Sequence, residues 1–181
     1  MKFIIFHCSI MQLWAFLYLY EYNFIEADMK NPIQIRTYVE GILKTCNLAV
    51  LATEANGQPC ASLMAITPFK GFRQILFATY RNTQKFENII NNSRVAVLIQ
   101  GEEQDSSNLQ KGFSLTAYGH AHEVEKSEQE EALKAHLKRH PDLKSFMHSG
   151  DVAILRIKVE TYQVVRGIDD VIWWPVTDTE Y

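Results

Sequence analysis

From residue 32 onward the apolar positions of this chain switch between a helical and an alternating period, and the switches divide it into elements. Ile33, Ile35, Val39, Ile42 and Leu43 fall near helical spacing and predict an amphipathic helix over Pro32 to Thr45. Leu48 to Thr53 and Ala61 to Thr67 are β-rich runs on either side of Glu54-Ala55-Asn56-Gly57-Gln58-Pro59, and Asn-Gly between such runs predicts a hairpin. Gln74 to Thr79 is a third strand, entered through the turn Lys70-Gly71-Phe72-Arg73. Lys85, Phe86, Ile89 and Ile90 make a short helix stopped by Asn91-Asn92, and Arg94 to Gln100 is a fourth strand.

Beyond an acidic, serine-rich loop from Gly101 to Lys111, Gly112 to Glu125 alternates as a long strand. Ser127 followed by Glu130 reads as a capping box that opens a helix lasting to about His140, where Pro141 stops it. Asp142 to His148 gives another helical turn, Val152 to Val165 alternates again, and Val171 to Trp174 is a last short strand. Six or seven strands with few helices between them predict a mainly β (α+β) domain, antiparallel and curled into a barrel that hides its edges.

The first 28 residues stand apart. From Phe3 to Tyr20 only His7, Ser9 and Gln12 interrupt an apolar, aromatic-rich run, about the ~20 residues that a membrane-crossing helix needs. Three readings follow: a membrane anchor, a true translation start at Met29, or a cleaved signal peptide. The single basic Lys2 and the lack of a small-x-small cleavage site before Glu26-Ala27-Asp28 count against the last. The domain assignment is therefore an extension over 1–28 and one folded domain over 29–181.

Charge and cysteines narrow the function classes. With 18 basic against 21 acidic residues, the chain lacks the basic face that a nucleic-acid backbone demands. Cys8, Cys46 and Cys60 share no metal-like spacing and suggest no disulfide framework, which fits a reducing cytoplasm. His120 and His122 would share one strand face, and His136 and His140 one helix face, but no Cys, Asp or Glu completes a metal-ligand spacing. No metal site is expected.

The stretch with the most chemistry is Phe77-Ala78-Thr79-Tyr80-Arg81-Asn82-Thr83-Gln84-Lys85, where an apolar strand gives way to hydroxyl, amide and basic side chains as a helix begins. A helix start offers unpaired N–H groups and the positive end of its dipole, so a nearby Lys or Arg completes a phosphate site. The plain alternative is an ordinary N-cap at Asn82 or Thr83 with a solvated Lys85.

In this order of elements the chain resembles the pyridoxamine 5′-phosphate oxidase-like family of FMN-binding split β-barrels, over roughly Ile33 to Trp174. The resemblance rests on the hairpin Asn56-Gly57-Gln58-Pro59 leading into Ala61-Ser62-Leu63-Met64, on Thr79 through Lys85, and on Ile89-Ile90-Asn91-Asn92-Ser93-Arg94-Val95-Ala96-Val97-Leu98. It extends to Tyr118-Gly119-His120-Ala121 and to His140-Pro141-Asp142 with Val165-Arg166-Gly167-Ile168, as in haem-utilisation relatives. It implies a homodimer with FMN in clefts between subunits. Lys85 and Arg81 would neutralise the cofactor phosphate, while Thr79, Thr83 and Gln84 would orient it by hydrogen bonds. Backbone groups of Ser62, Leu63, Met64 and Ala65 would meet the polar edge of the flavin, Ser114 would add a contact, and Trp173 or Trp174 would wall the cleft or pack into the core or dimer interface.

Two departures separate this chain from the vitamin-making oxidases of that family. Cys60-Ala61-Ser62 stands where they place a phosphate-binding arginine, and Ile172-Trp173-Trp174-Pro175-Val176-Thr177 replaces their R-L-x-P tail, so pyridoxine phosphate oxidation is not expected. The expected function is an FMN-dependent oxidoreductase drawing on NADH, NADPH or another donor, with no evident catalytic side chain. A non-catalytic flavin or electron-carrying module remains open, as does a haem protein using His120, His122, His140 or His148 as iron ligand. A deazaflavin could replace FMN, since both carry a phosphorylated ribityl arm.

Overall fold

The computed structural model describes residues 31–100, 114–166 and 170–177. By its internal contacts the chain divides into residues 1–38 and 39–181, and the sheet with its flanking helices belongs to the second unit. Helix α1 (Pro32–Thr45) is followed by β1 (Leu48–Ala55), β2 (Gln58–Ala65), β3 (Thr67–Phe69), β4 (Gln74–Tyr80), α2 (Gln84–Asn91), β5 (Arg94–Gln100) and β6 (Ser114–Glu123). Then come α3 (Gln129–Arg139), a 3-10 turn at Pro141–Leu143, α4 (Lys144–Met147), β7 (Val152–Val165) and β8 (Val171–Pro175). The predicted extension over 1–28 and the loop Gly101–Lys111 lie outside the described residues.

All eight strands form one antiparallel sheet in the order β2-β1-β5-β6-β7-β4-β3, with β8 on β7. The mainly β expectation holds. The extra strand arises because the predicted run Ala61 to Thr67 breaks at Ile66, after which Thr67–Phe69 pairs with β4 instead of β1. The two ends of the path, β2 and β3, carry Pro59 and Pro68. Proline has no N–H to give to a further ladder, so it belongs on such edges, and the barrel stays split.

Both hairpin turns need left-handed backbone. Asn56 and Gly57 have φ of 53° and 81°, the mirror-type two-residue turn that Asn-Gly favours, and Lys70 and Gly71 have 51° and 75° at the β3–β4 turn. The predicted capping box fails: α3 has Glu128 at its N-cap and no side-chain cap. Glu128 is drawn away by Lys70 (2.5 Å) and Arg156 (2.6 Å), whose hydrogen bonds hold its carboxyl below the usual range.

Leu51, Val97, Leu115, Ala117, Leu155 and Ile157 fill the barrel interior. Each large apolar side chain buried there contributes roughly 1.5–3 kcal/mol. Trp174 is buried against Phe72 and Tyr162, with centroids 4.9 and 6.0 Å away, and this aromatic cluster seats β8. The register of β6 on β7 slips between Tyr118 and Gly119, leaving Glu160 as an extra residue on β7. A Cβ on Gly119 would sit 2.1 Å from the Lys158 carbonyl oxygen, so only glycine admits this bulge. Arg139 at the end of α3 donates to the carbonyls of Leu43, Lys44 and Cys46, satisfying the orphan end of α1.

Candidate functional site

Strand β4 is apolar and buried from Ile75 to Ala78, and its last residues turn into α2. Thr83 is the N-cap of α2 in extended backbone, but its side chain does not cap the helix. Its hydroxyl donates instead to the Tyr80 carbonyl at 2.8 Å. Thr83 Oγ1 also lies 3.0 Å from Thr79 Oγ1, and since the Thr83 hydrogen is spent, Thr79 must be the donor of that pair. Both hydroxyl hydrogens that the sequence reading assigned to a phosphate are thus committed within the turn.

The helix start itself is open. Phe86 and Glu87 give their N–H groups to the Thr83 carbonyl, while those of Gln84 and Lys85 find no acceptor among the described residues. Lys85, half-buried beside them, has no hydrogen-bond or ion-pair partner among the described residues. Two free N–H groups, a dipole end and an unspent ammonium are groups that can attract an anion. Arg81 is held differently: its guanidinium pairs with Glu123 and donates to the Val152 carbonyl at 3.1 Å, and its N–H goes to Asp151. Its charge tethers the strand end to β6 and β7.

Gln84 gives its amide N–H to Asn88 Oδ1 at 2.8 Å, and the buried Asn88 donates in turn to Thr53 Oγ1 on β1 at 3.1 Å. Sequence reasoning missed Asn88, Thr53 and Glu123. The spacing of Gln84 and Asn88, one helical turn apart, was the available signal. Thr53 pairs across to Cys60, which brings the end of α2 to the level of β2. There Ser62 and Met64 lie on the inner face opposite Leu51 and Ala49, while Leu63 and Ala65 lie on the outer face opposite Val50 and Leu48.

Ser114 and Trp173 are elsewhere. Thr79 pairs with Ala153 at the start of β7, whereas Ser114 pairs with Val165 and Trp173 with Gln163 near its end. That is about 40 Å of extended strand between Thr79 and Ser114 along β7. Within one copy these residues do not join the turn. Trp173 is 56% exposed and stacks on Tyr118 with centroids 5.5 Å apart, so of the two candidate wall residues it is the accessible one.

Of the histidines, His136 is fully buried, with Nδ1 2.9 Å from Thr67 Oγ1, and His140 Nε2 meets the Ile66 carbonyl at 2.8 Å. His148 leans on the Lys144 carbonyl. His120 and His122 stand side by side with rings nearly parallel, His120 meeting Ser93 at 2.9 Å and Glu160 at 3.6 Å. No group of three metal-ligating side chains converges among the described residues.

The profile of the family described as pyridoxamine 5′-phosphate oxidase matches residues 35–166, from α1 through the whole of β7. The chain belongs to that family. Solved structures agree with this family's split barrel: a haem-binding protein from Mycobacterium smegmatis (TM-score 0.69, 21% identity, 76% of this chain and 56% of that one) and ChuZ from Campylobacter jejuni (0.68, 15%, 80% and 61%). General Stress Protein 26 from Bacillus anthracis str. Sterne is similar too (0.59, 20%, 78% and 98%). At these identities the likeness is one of fold. The family member described here spans little more than half of the M. smegmatis chain. A search of the curated proteins returned no match.

Proposed function

We propose that this family member is a homodimeric flavoprotein that holds FMN by its phosphate at the start of α2 and serves as an FMN-dependent oxidoreductase. One observation carries the reading: the helix start is uncapped, and Lys85 beside it is unspent among the described residues. The residues fit a phosphate monoester, since two N–H groups, Lys85 and the second amide hydrogen of Gln84 match its oxygens. Arg81 serves this corner indirectly, by fixing the strand end. When bound, FMN would supply the redox chemistry. The protein's own share is to grip the phosphate, to bring the β2 backbone from Ser62 to Ala65 against the ring, and to keep water away.

The second copy is supported by the sheet's outer face. Leu63, Val50, Leu98, Thr116, Gln163 and Trp173 follow one another across six strands in register, and Leu63 (67%), Leu98 (43%) and Trp173 (56%) are exposed. Such a strip, apolar at Leu63, Val50, Leu98 and Trp173 and crossed by the polar Thr116 and Gln163, suits a self-complementary interface. A second copy would also supply the Ser114 and Trp173 that one copy keeps far from its own helix start.

The test is a titration of protein beginning at Met29 with FMN and with riboflavin, which lacks the phosphate. Tight FMN binding, a clear preference over riboflavin and reduction of the bound flavin by NADH or NADPH are expected. Indifference to the phosphate removes the reading, and binding without turnover leaves a flavin carrier. A haem reading is favoured by one observation, the exposed His122 beside His120 on β6, together with the haem-binding neighbour. It predicts a Soret band that His120→Ala or His122→Ala abolishes.

A further inference from the structure

Asn88 stands out in α2, because its position is one where an apolar residue would be expected. It is 2% exposed beside the buried Ile89, and an amide buried on a helix face costs stability unless both its ends are bonded. Both are: Nδ2 donates to Thr53 Oγ1 at 3.1 Å, and Oδ1 accepts from Gln84 Nε2 at 2.8 Å. The first bond fixes which way the Asn88 amide faces. The second, one helical turn back, fixes the Gln84 amide in the first turn of α2, beside Lys85, with one hydrogen left to give.

We infer that Asn88 is a positioning residue for anion recognition, anchored on β1 through Thr53 and acting on the bound phosphate through Gln84. The inference rests on the reading of the α2 start as a phosphate site. It differs from a direct role for the threonines, since the Thr79 and Thr83 hydroxyls are satisfied within the turn. It also ties two halves of the site together: Thr53 pairs with Cys60 on β2, two residues before Ser62, so the same chain of bonds sets α2 against the strand that would face the flavin ring.

A double-mutant cycle on the full chain tests this, using Gln84→Ala, Asn88→Leu and both together, with FMN and riboflavin as probes. Asn88→Leu and Gln84→Ala should each lower FMN affinity about five- to tenfold and leave riboflavin affinity unchanged, and the double variant should lose no more than either alone. Thr53→Val, which removes one anchor while keeping the volume of the side chain, should lower the FMN-to-riboflavin ratio about two- to threefold, and it serves if Asn88→Leu fails to fold. Losses that add in the double variant, or an unchanged ratio accompanied only by a lower melting temperature, overturn the inference and make Asn88 a purely structural residue. A wild type with no preference for FMN over riboflavin overturns the phosphate reading itself, and the inference with it.

Discussion

Lys85 and Arg81 are both cations at the same strand end, yet the structure gives them different work. Lys85→Ala should weaken FMN by about 1.5–3 kcal/mol, the scale of a lost charged hydrogen bond, while leaving riboflavin binding and the melting temperature nearly unchanged. Equal losses for the two flavins would take Lys85 out of the phosphate site. Arg81→Ala should act on the fold, costing about 1 kcal/mol of stability because its pair with Glu123 is partly exposed. Denaturant melts of Arg81→Ala and Glu123→Gln, which should shift alike and not add, check this. The sequence could name both residues as basic and adjacent to a helix start. It could not say that Glu123, 42 positions later, takes one of them, because that contact depends on β6 and β4 flanking β7.

At the scale of elements, two features carry measurable consequences. His136 docks α3 against Thr67 with its Nε2 buried and without a partner, and burial, helped by the charge of nearby His140, pulls its pKa from 6.5 down to about 4. The unfolded chain therefore takes up a proton first as pH falls. Stability should be flat above about pH 6.5 and decline by up to about 3 kcal/mol towards pH 4, a slope that His136→Leu removes. A pH-independent melting temperature over that window would contradict the buried neutral imidazole. Gly119→Ala should cost several kcal/mol, about 3 or more, because the bulge in β7 presses the Lys158 carbonyl into the space a Cβ needs. The strand pattern was legible here because one buried face imposes strict alternation, and Asn56-Gly57 announced its own turn. The capping box misled because Lys70 and Arg156, distant in sequence, bind Glu128 next to it and the helix begins without a side-chain cap.

For the whole molecule the outer face of the sheet is the issue. If the strip from Leu63 to Trp173 seats a second copy, Leu63→Lys or Leu98→Glu should yield a folded monomer by sedimentation, with FMN affinity lost because Ser114 and Trp173 no longer reach a neighbour's α2. A folded, FMN-binding monomer in the wild type would break the link between assembly and site. Among the described residues no helix is long and apolar enough to cross a membrane, and the apolar run from Phe3 to Tyr20 lies outside them. What the sequence alone determined was local: periods of two and 3.6, a turn that needs positive φ, and the meeting of a strand with a polar helix start. These depend on neighbours a few residues apart. Only the tertiary structure decided which of the two cations Glu123 takes, that Asn88 reaches Thr53, and that Ser114 lies far from Thr79, because each of these depends on how distant strands are brought together, and pairing order is not written in any local pattern.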